Sequence, residues 1–527
     1  MWVWELTEPR FARKLSAVGP VDTSVSAAPR LFSGCPVMPL NLILDPWIPV
    51  TTPEGRRTIT PGQMADPGVL RPDWPRADLN IAWLELLIGL VALADPPASP
   101  EEWEARRAAD PARLQERLAA LAPAFNLSGD GPLFLQDLEP LAGEANPPDM
   151  LFIDSAGGNA ARNNADLMVW RGRYPALDPA LAAMALYTLQ SQAPAGGAGN
   201  RTSMRGGGPM VTLVEPFAGC SLWDLVWANV PCGPQQGLEA LPWMRPTRVS
   251  DKDQEVWPPA DVASPVEAFF GMPRRLRLVV EGDLVTGVVQ RPYGTNYAGW
   301  QHPLTPYYRL KPGSELLPVH PRAGAFGYRN WLGVVAASEK TDLRAQAACV
   351  AAYSGRVRRS QAQAARVIVA GWAMDNMKPR DFVLSRQPLL DLPQAQLTAV
   401  QGMVEAAELL AGALRMALKP VLAEGSALEA LREEFFARTQ APLEARIADL
   451  RRGEAVAGAW LADLRAAGLA LFDAAALPGM DRRETDVMAR IAQARQGLLA
   501  DFAGRRKLGR AAFDKLGLTP QTRTEAA

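Results

Sequence analysis

Apolar residues recur at spacings of three and four after Pro393, and this pattern predicts long helices. The clearest run comprises Leu397, Val400, Val404, Ala407, Ala411, Leu414 and Leu418. Such a repeat places the apolar side chains on one stripe of a helix, as in helices packed along a shared seam. Proline or glycine near residues 420–425, 451–453 and 477–479 divides the region into four segments. We therefore predict an antiparallel four-helix bundle over 391–505, with a kink or break at Pro442.

The chain before Pro393 mixes helix and strand patterns. An apolar run from Ile81 to Ala94 predicts a core helix, and Pro100–Leu121 has the pattern of a charged amphipathic helix. Strand-like runs flank Glu281-Gly282-Asp283, which predicts a hairpin, and two further strands are predicted over 366–385. The mixture predicts a large mixed α/β domain over 38–390. The fold class expected for the chain is α+β.

The two ends of the chain differ from these domains. Residues 1–37 are rich in Ser, Pro and Ala and lack a periodic pattern. We interpret them as a disordered extension, or as the product of an upstream start codon. Residues 506–527 are predicted to form a basic, flexible tail.

Composition limits the classes of function. The 527 residues are 48% hydrophobic, with 55 basic and 56 acidic side chains. Binding of nucleic acid would therefore depend on local basic patches rather than on net charge. The four cysteines form no CxxC motif, which favours a reducing, cytoplasmic environment. The sequence predicts neither a signal peptide nor a membrane span, so we expect no membrane partner.

Residues suited to catalysis or metal binding are few. The chain has only two histidines, His302 and His320, and neither has the spacing of a metal ligand. A G-x-S-x-G elbow is absent, and the carboxylates lie mainly on predicted helix faces. We predict no catalytic residue, no metal site and no cofactor. The alternative is a standalone enzyme with a glycine-rich active-site loop, which predicts perturbed acids near residues 196–208.

The most unusual stretch is QAPAGGAGNRTSMRGGGP, residues 192–209. It contains six glycines and two arginines, Arg201 and Arg205, between a helix predicted over 178–190 and a strand predicted over 210–214. It matches neither a phosphate-binding P-loop nor a dinucleotide fingerprint. One interpretation is a mobile surface connection. The other is a loop whose backbone approaches a groove closely, with arginines that donate to phosphates or base edges.

A second polar stretch lies within residues 146–173. Its centre, SAGGNAARNNADL, contains four candidate binding residues: Asn159, Arg162, Asn163 and Asn164. A long polar loop inside a domain is often functional. A plain surface excursion is the other interpretation.

Several motifs, taken in order, resemble one known family. They are LNLILDPWIPV near the start, the glycine-rich stretch, MPRRLRL, the W-x-HP-x-x-P at 300–306, the Gly327–Asn330 region and GWAMDNMKPRDF. With the four predicted helices they extend over residues 38 to about 505. The chain resembles the CasA family, the large subunits of the type I-E CRISPR surveillance complex Cascade.

The resemblance implies an irregular mixed α/β N-terminal domain followed by a four-helix bundle. It also implies a binding and assembly role rather than an enzyme. Members recognise the protospacer-adjacent motif on double-stranded DNA, help to open the duplex for crRNA pairing, and provide a platform for the helicase-nuclease. The implied partners are other Cascade subunits, the crRNA 5′ end, target DNA and that helicase-nuclease. In such complexes base pairing reads the sequence, while protein reads the short motif and the backbone.

The resemblance also assigns residues. The loop that enters the minor groove falls at Gly196, Gly197, Ala198 and Gly199, with Asn200 and Arg201 beside it, and the basic finger falls near Arg291. The polar loop with Asn159, Arg162, Asn163 and Asn164 is assigned to the guide 5′ end and neighbouring subunits. A glutamine wedge of some members is missing, since Trp331 and Leu332 follow Asn330. Asn330 and Trp331 are candidate replacements, because apolar side chains can unstack bases. The alternative is that Trp331 and Leu332 are core residues.

Overall fold

The computed structural model describes residues 39–521, apart from 167–168, 198, 263, 339–341 and 423–424. The predicted extension over residues 1–37 lies outside the described residues. The same holds for Ala198 and for the end of the predicted tail, residues 522–527.

Three short strands and a buried helix open the fold. The strands β1 (Ile48–Thr52), β2 (Gly55–Ile59) and β3 (Arg71–Pro72) pair antiparallel in the order β2-β1-β3. Helix α1 (Ala77–Ala94) confirms the predicted core helix. It is long and apolar enough to cross a membrane, yet 89% of it is buried inside the fold, as is usual for a core helix.

The segment after α1 contains two helices rather than one. They are α2 (Pro100–Ala105) and α3 (Pro111–Ala119), and the prediction of one continuous helix over 100–121 was wrong. The side chain of Ser99 caps α2, and that of Asp110 caps α3. Each cap precedes a proline, which is well suited to the first helical position but excludes the residue before it from a helix.

The glycine-rich stretch connects a helix to the edge of a sheet. It lies between α5 (Pro179–Gln192) and β4 (Val211–Glu215), as predicted. The side chain of Asp178 accepts a hydrogen bond from Leu181 N at 3.0 Å and so caps α5. Strand β4 is the edge of an antiparallel sheet in the order β11-β10-β4, with β10 at Arg366–Asp375 and β11 at Lys378–Pro388.

A separate two-stranded hairpin follows β4 and precedes β10 in the chain. Its strands are β5 (Arg275–Glu281) and β6 (Leu284–Arg291), which confirms the prediction. Glu281 faces Leu284 at the turn, and Arg275 faces Arg291 at the open end. The smaller elements are α4 (Gly158–Arg162), α6 (Leu222–Ala228), β7 (Tyr307–Tyr308), β8 (Leu317–Pro318), β9 (Arg344–Ala345), α7 (Ala348–Arg356) and α8 (Arg359–Ala364).

The C-terminal part is helical. It comprises α9 (Gln394–Leu418), α10 (Ser426–Arg451), α11 (Ala457–Ala476), α12 (Thr485–Phe502) and α13 (Lys507–Leu516). Each of the other four helices contacts α9, whose predicted seam residues are all buried. Helix α9 also has the length and hydropathy of a membrane span, with 67% of that window buried in the fold. Pro442 lies inside α10 and does not break it, so a break there is excluded, while a kink at Pro442 stays a prediction.

Helix α13 corrects the predicted tail over residues 507–516. Phe513 is buried, and the ammonium group of Lys515 forms an ion pair with the Glu405 carboxylate on α9. Gly402 of α9 lies so close to the Lys515 carbonyl that a side chain there would collide with it. The absence of a Cβ at Gly402 therefore lets α13 pack directly on α9.

A short turn joins the sheet region to the helices. The hydroxyl groups of Tyr328 and Thr439 are 2.8 Å apart, and Tyr328 N donates to Gln440 Oε1 at 2.9 Å. Arg329 forms an ion pair with Glu433 at 2.6 Å. Residues 328–330 therefore attach the mixed α/β part to α10.

Candidate nucleic-acid interface

The glycine-rich loop is closed by its own backbone. At its base, Ser203 N donates to Ala193 O at 2.9 Å and Gly208 N to Gln192 O at 3.0 Å. At its tip, Asn200 N donates to Gly197 O at 2.8 Å, and Gly196 N to Asn200 O at 3.1 Å. The tip is thus a hydrogen-bonded turn rather than a loose connection.

The glycines of this loop fall into two groups. Gly207 and Gly208 are buried, and a Cβ on either would collide with the backbone of Pro194 or Trp372. Packing therefore explains the glycines at the base. At the tip, by contrast, Gly197 is exposed, and a Cβ there would meet nothing within 4 Å. Its φ of +66° is one that most other residues avoid.

The two arginines of the loop are bonded to other parts of the fold, which the sequence did not indicate, and a role for Arg201 toward DNA stays a prediction. Arg205 is 2% exposed and forms an ion pair with Glu85 at 2.7 Å. The Arg201 guanidinium donates to Ser250 Oγ at 2.9 Å and to Asp253 Oδ1 at 3.0 Å. Arg205 thus anchors the base of the loop in the core, while Arg201 fixes its side to the turn at 250–253.

Arg291 lies where the tip meets the hairpin. Gly199 O accepts a hydrogen bond from Tyr293 N at 2.8 Å, and Asn200 Oδ1 accepts one from Gln290 Nε2 at 3.1 Å. The Arg291 side chain is exposed and has no hydrogen bond or ion pair with any residue that the structure describes. The structure therefore places the glycine tip against the strand end that bears Arg291. The Arg291 side chain itself follows Gln290 on the other face of the strand, and one of its terminal nitrogens lies 3.7 Å from the position that a Cβ on Gly143 would take.

We call this region the loop–hairpin surface and define it as Gly196, Gly197, Gly199, Asn200, Arg291 and Tyr293. Sequence reasoning missed Tyr293, which is 40% exposed and has a φ of +62°. A tyrosine in this conformation is strained, and such strain is concentrated at functional sites. The only signal in the sequence was the Pro292-Tyr293-Gly294 turn directly after the strand.

Comparisons with known proteins identify the family. A family model described as CRISPR-associated protein Cse1 matches residues 41–471. The chain belongs to the Cse1 family. A Thermus thermophilus structure titled CasA (Cse1) matches with a TM-score of 0.68 and 19% identity, over 90% of this chain and 99% of that one. A Cse1 structure from Acidimicrobium ferrooxidans matches with a TM-score of 0.66 and 20% identity, over 91% and 99%.

A third structure, titled CRISPR RNA-guided surveillance complex, contains a chain with the same fold. Its TM-score is 0.67 at 15% identity, with 87% of this chain and 99% of that chain covered. At such identities the matches show the Cse1 fold and assign no residue of this chain a role. Membership of the family accounts for the fold that these chains share. The roles of individual residues have to be argued from their positions and contacts in this structure.

The proposed Cse1 wedge at Trp331 does not fit the structure. Trp331 is 0% exposed, and its Nε1–H donates to Gln387 Oε1 at 2.7 Å inside the core. A side chain that inserts between bases must lie at the surface. The alternative interpretation of Trp331 as a core residue is therefore the correct one. Asn330 is half-buried beside it, and its role in strand separation stays a prediction.

We expect Trp331→Phe to lower the free energy of unfolding by about 1–3 kcal/mol, because Gln387 would lose a buried hydrogen-bond partner. Urea denaturation of the isolated protein measures this change. At temperatures where the variant is folded, target-duplex opening should match that of the wild type. Impaired duplex opening by a fully folded variant would instead indicate that Trp331 takes part in strand separation.

The polar Cse1 loop at 158–164 contains the short helix α4. Asn163 and Asn164 are exposed, and Asn164 Oδ1 accepts a hydrogen bond from Arg171 at 3.1 Å. Of Asn159 only the backbone is described, at the start of α4, which ends at Arg162. A role for Asn159, Arg162, Asn163 and Asn164 toward RNA stays a prediction.

Proposed function

We propose that this Cse1-family chain is the large subunit of a type I-E Cascade complex and that its loop–hairpin surface reads the protospacer-adjacent motif in double-stranded DNA. The observation that carries the proposal is the contact between the glycine tip and the strand end that bears Arg291. It brings a glycine-rich turn to the strand that carries a guanidinium with no partner among the described residues. That combination suits a groove bordered by phosphates.

The dimensions of DNA support a minor-groove contact. The minor groove is only about 6 Å wide, so backbone enters it more easily than large side chains do. Its pattern of donors and acceptors is degenerate, which fits recognition of a set of short motifs rather than one sequence. Arg291, on the strand that the tip contacts, would donate either to a base edge or to a flanking phosphate.

The remaining roles are proposals from the family resemblance. The polar loop at 158–164 would face the crRNA 5′ end and neighbouring subunits. Helices α9–α12 would form the antiparallel four-helix bundle, and the assembled subunit would recruit the helicase-nuclease. Its function in target degradation would be recognition and recruitment without catalysis.

The enzyme alternative required a perturbed acid beside residues 196–208. Burial raises the pKa of the Glu85 carboxyl, and Arg205 opposes that shift. However, Glu85 is 0% exposed and enclosed by Arg205, Gln192 and His302. A substrate cannot reach it in this structure, so this group supports a structural role.

The test of function is duplex binding by a guide-loaded complex with and without this chain, on targets with and without a candidate motif set. Tight binding that requires both the chain and the motif is the expected result. Equal binding without the chain would overturn the DNA-reading role and leave assembly or recruitment.

We expect Arg291→Ala to reduce discrimination between motif and non-motif duplexes about tenfold, because one charge-assisted hydrogen bond contributes about 1.5 kcal/mol. Competition binding with the assembled complex measures the ratio. Arg291→Lys keeps the charge and is the matched control, expected to retain most of the discrimination. If Arg291→Ala discriminates between the two duplexes as well as the wild type does, the basic finger must be another residue.

A further inference from the structure

Arg274 lies directly beneath the tip of the glycine loop. Its backbone is fixed by Gln190 of α5, whose side chain accepts from Arg274 N at 3.0 Å and donates to Arg274 O at 3.0 Å. Its side chain is 6% exposed, and its guanidinium donates to Pro194 O in the loop. The position of this cation under the loop is thus set on two sides.

This buried guanidinium has no counterion. No carboxylate lies within ion-pair distance of Arg274 in the part of the chain that the structure describes, and its Nε has no hydrogen-bond partner there. Nearby arginines differ, since Arg205 pairs with Glu85 and Arg275 with Asp137. Burial lowers the pKa of Arg274 to about 10, so the group is still protonated at neutral pH.

Only backbone separates this charge from the surface. A Cβ on Gly196 would lie 2.8 Å from one terminal nitrogen of Arg274 and 3.2 Å from the other, and Gly196 itself is exposed. The next residue, Gly197, makes no hydrogen bond through its N–H to any described residue. An anion resting on the tip would therefore meet a free N–H above an uncompensated positive charge.

We propose that Arg274, together with the backbone of Gly196 and Gly197, forms a binding site for a phosphate of the DNA backbone. The inference rests on the proposed function and adds the group that holds the strand beside the motif. A buried charge without a counterion is costly in the free protein, and the phosphate offsets that cost when DNA binds. Arg274 contributes affinity but no sequence information, because every nucleotide carries the same phosphate.

The test compares Arg274→Gln with the wild type in the guide-loaded complex, using motif and non-motif duplexes over a range of salt concentrations. We expect about tenfold weaker binding of both duplexes at low salt. The slope of log K against log salt should become shallower by up to about 0.9, the value for one phosphate contact. The ratio between the two duplexes should not change. Arg274→Lys should recover most of the affinity.

Two controls test whether the effect comes from a specific phosphate site. One tests for a general effect of positive charge, and the other tests for a structural role of Arg274. Arg277→Gln removes one charge from the same hairpin, away from the loop, and an equal effect there would overturn the site. In urea denaturation Arg274→Gln should be at least as stable as the wild type, since an uncompensated charge is removed. A large loss of stability would make Arg274 a structural residue instead.

The outcomes also distinguish this inference from the proposed function. If the wild-type complex does not discriminate the motif, the proposed function fails. If it discriminates and Arg274→Gln binds both duplexes like the wild type at every salt concentration, only the phosphate site fails. A complex that binds no duplex contradicts both.

Discussion

Replacing Arg205 by alanine is expected to lower the free energy of unfolding by about 3–5 kcal/mol, the usual cost of removing one partner of a buried ion pair. Glu85 is 0% exposed and Arg205 is 2% exposed, so water cannot replace the lost guanidinium. Glu85 would keep one neighbouring donor, Gln192 Nε2 at 3.3 Å. His302 Nε2 lies 3.7 Å away, but burial lowers its pKa and keeps the imidazole neutral.

The loss should depend on pH. Burial already raises the pKa of Glu85, and without Arg205 the pKa rises further, because Arg205 favours the ionised form. The folded variant then holds a proton on Glu85 that the unfolded chain releases above the ordinary pKa of glutamate. Its stability should fall by up to about 1.4 kcal/mol per pH unit as pH rises above the ordinary pKa of glutamate, over a wider pH range than in the wild type.

The control is a double variant, Glu85→Gln with Arg205→Met, in which neither charge is buried. It should regain most of the lost stability, since no carboxylate is left without a partner. It should also lack the added pH dependence, since Glu85 is no longer there to titrate. Urea denaturation of the isolated subunit at several pH values measures all three proteins. Equal stability of Arg205→Ala and the wild type at about pH 7.5 would contradict a structural role for Arg205.

Local signals in the sequence predicted the elements that local chemistry determines. The Asp178-Pro179 pair marked the start of α5, Gly282 marked the turn of the β5–β6 hairpin, and the 3-4 spacing predicted α9. Each signal lies within a few residues of the feature it predicts. The α+β class followed from these elements.

Pairings between distant residues were not predictable in this way. Nothing near Arg205 indicates that its partner is Glu85 on α1, and nothing near Trp331 indicates that Gln387 accepts its N–H. Both side chains looked available in the sequence, because Arg205 precedes three glycines and Trp331 follows Asn330. Their burial is decided by elements that are far away in sequence, which a local pattern does not contain.

The glycine loop shows the same limit within one stretch. Its six glycines look alike in the sequence, yet Gly207 and Gly208 are required by packing, whereas Gly197 has open space around it. Composition alone could not separate the base of the loop from its tip. The separation matters because only the exposed tip can meet a ligand without unfolding.

Gly197→Asn is expected to weaken motif-dependent duplex binding by the guide-loaded complex about tenfold or more, a loss of at least about 1.4 kcal/mol. Asparagine tolerates the left-handed conformation that Gly197 adopts at a φ of +66°, so the loop should keep its shape. The added side chain would project into whatever covers the tip, and a groove about 6 Å wide has little room for it. Gly199 is a poorer choice, because a Cβ there would lie 2.7 Å from the Tyr293 ring and displace the hairpin.

Gly282→Asn is the matched control. Gly282 has a φ of +62°, is exposed, and would also accept a Cβ without a contact within 4 Å. It lies at the turn of the hairpin, about 20 Å along the strands from Arg291 at the strand rise of about 3.3 Å per residue.

If both variants assemble and only Gly197→Asn loses motif-dependent binding, the tip faces the DNA. If Gly197→Asn fails to assemble, the tip is a structural or subunit contact, and the groove assignment is wrong. Equal binding by both variants would mean that nothing covers the tip in the complex, because an exposed asparagine can disturb only a surface that lies against it.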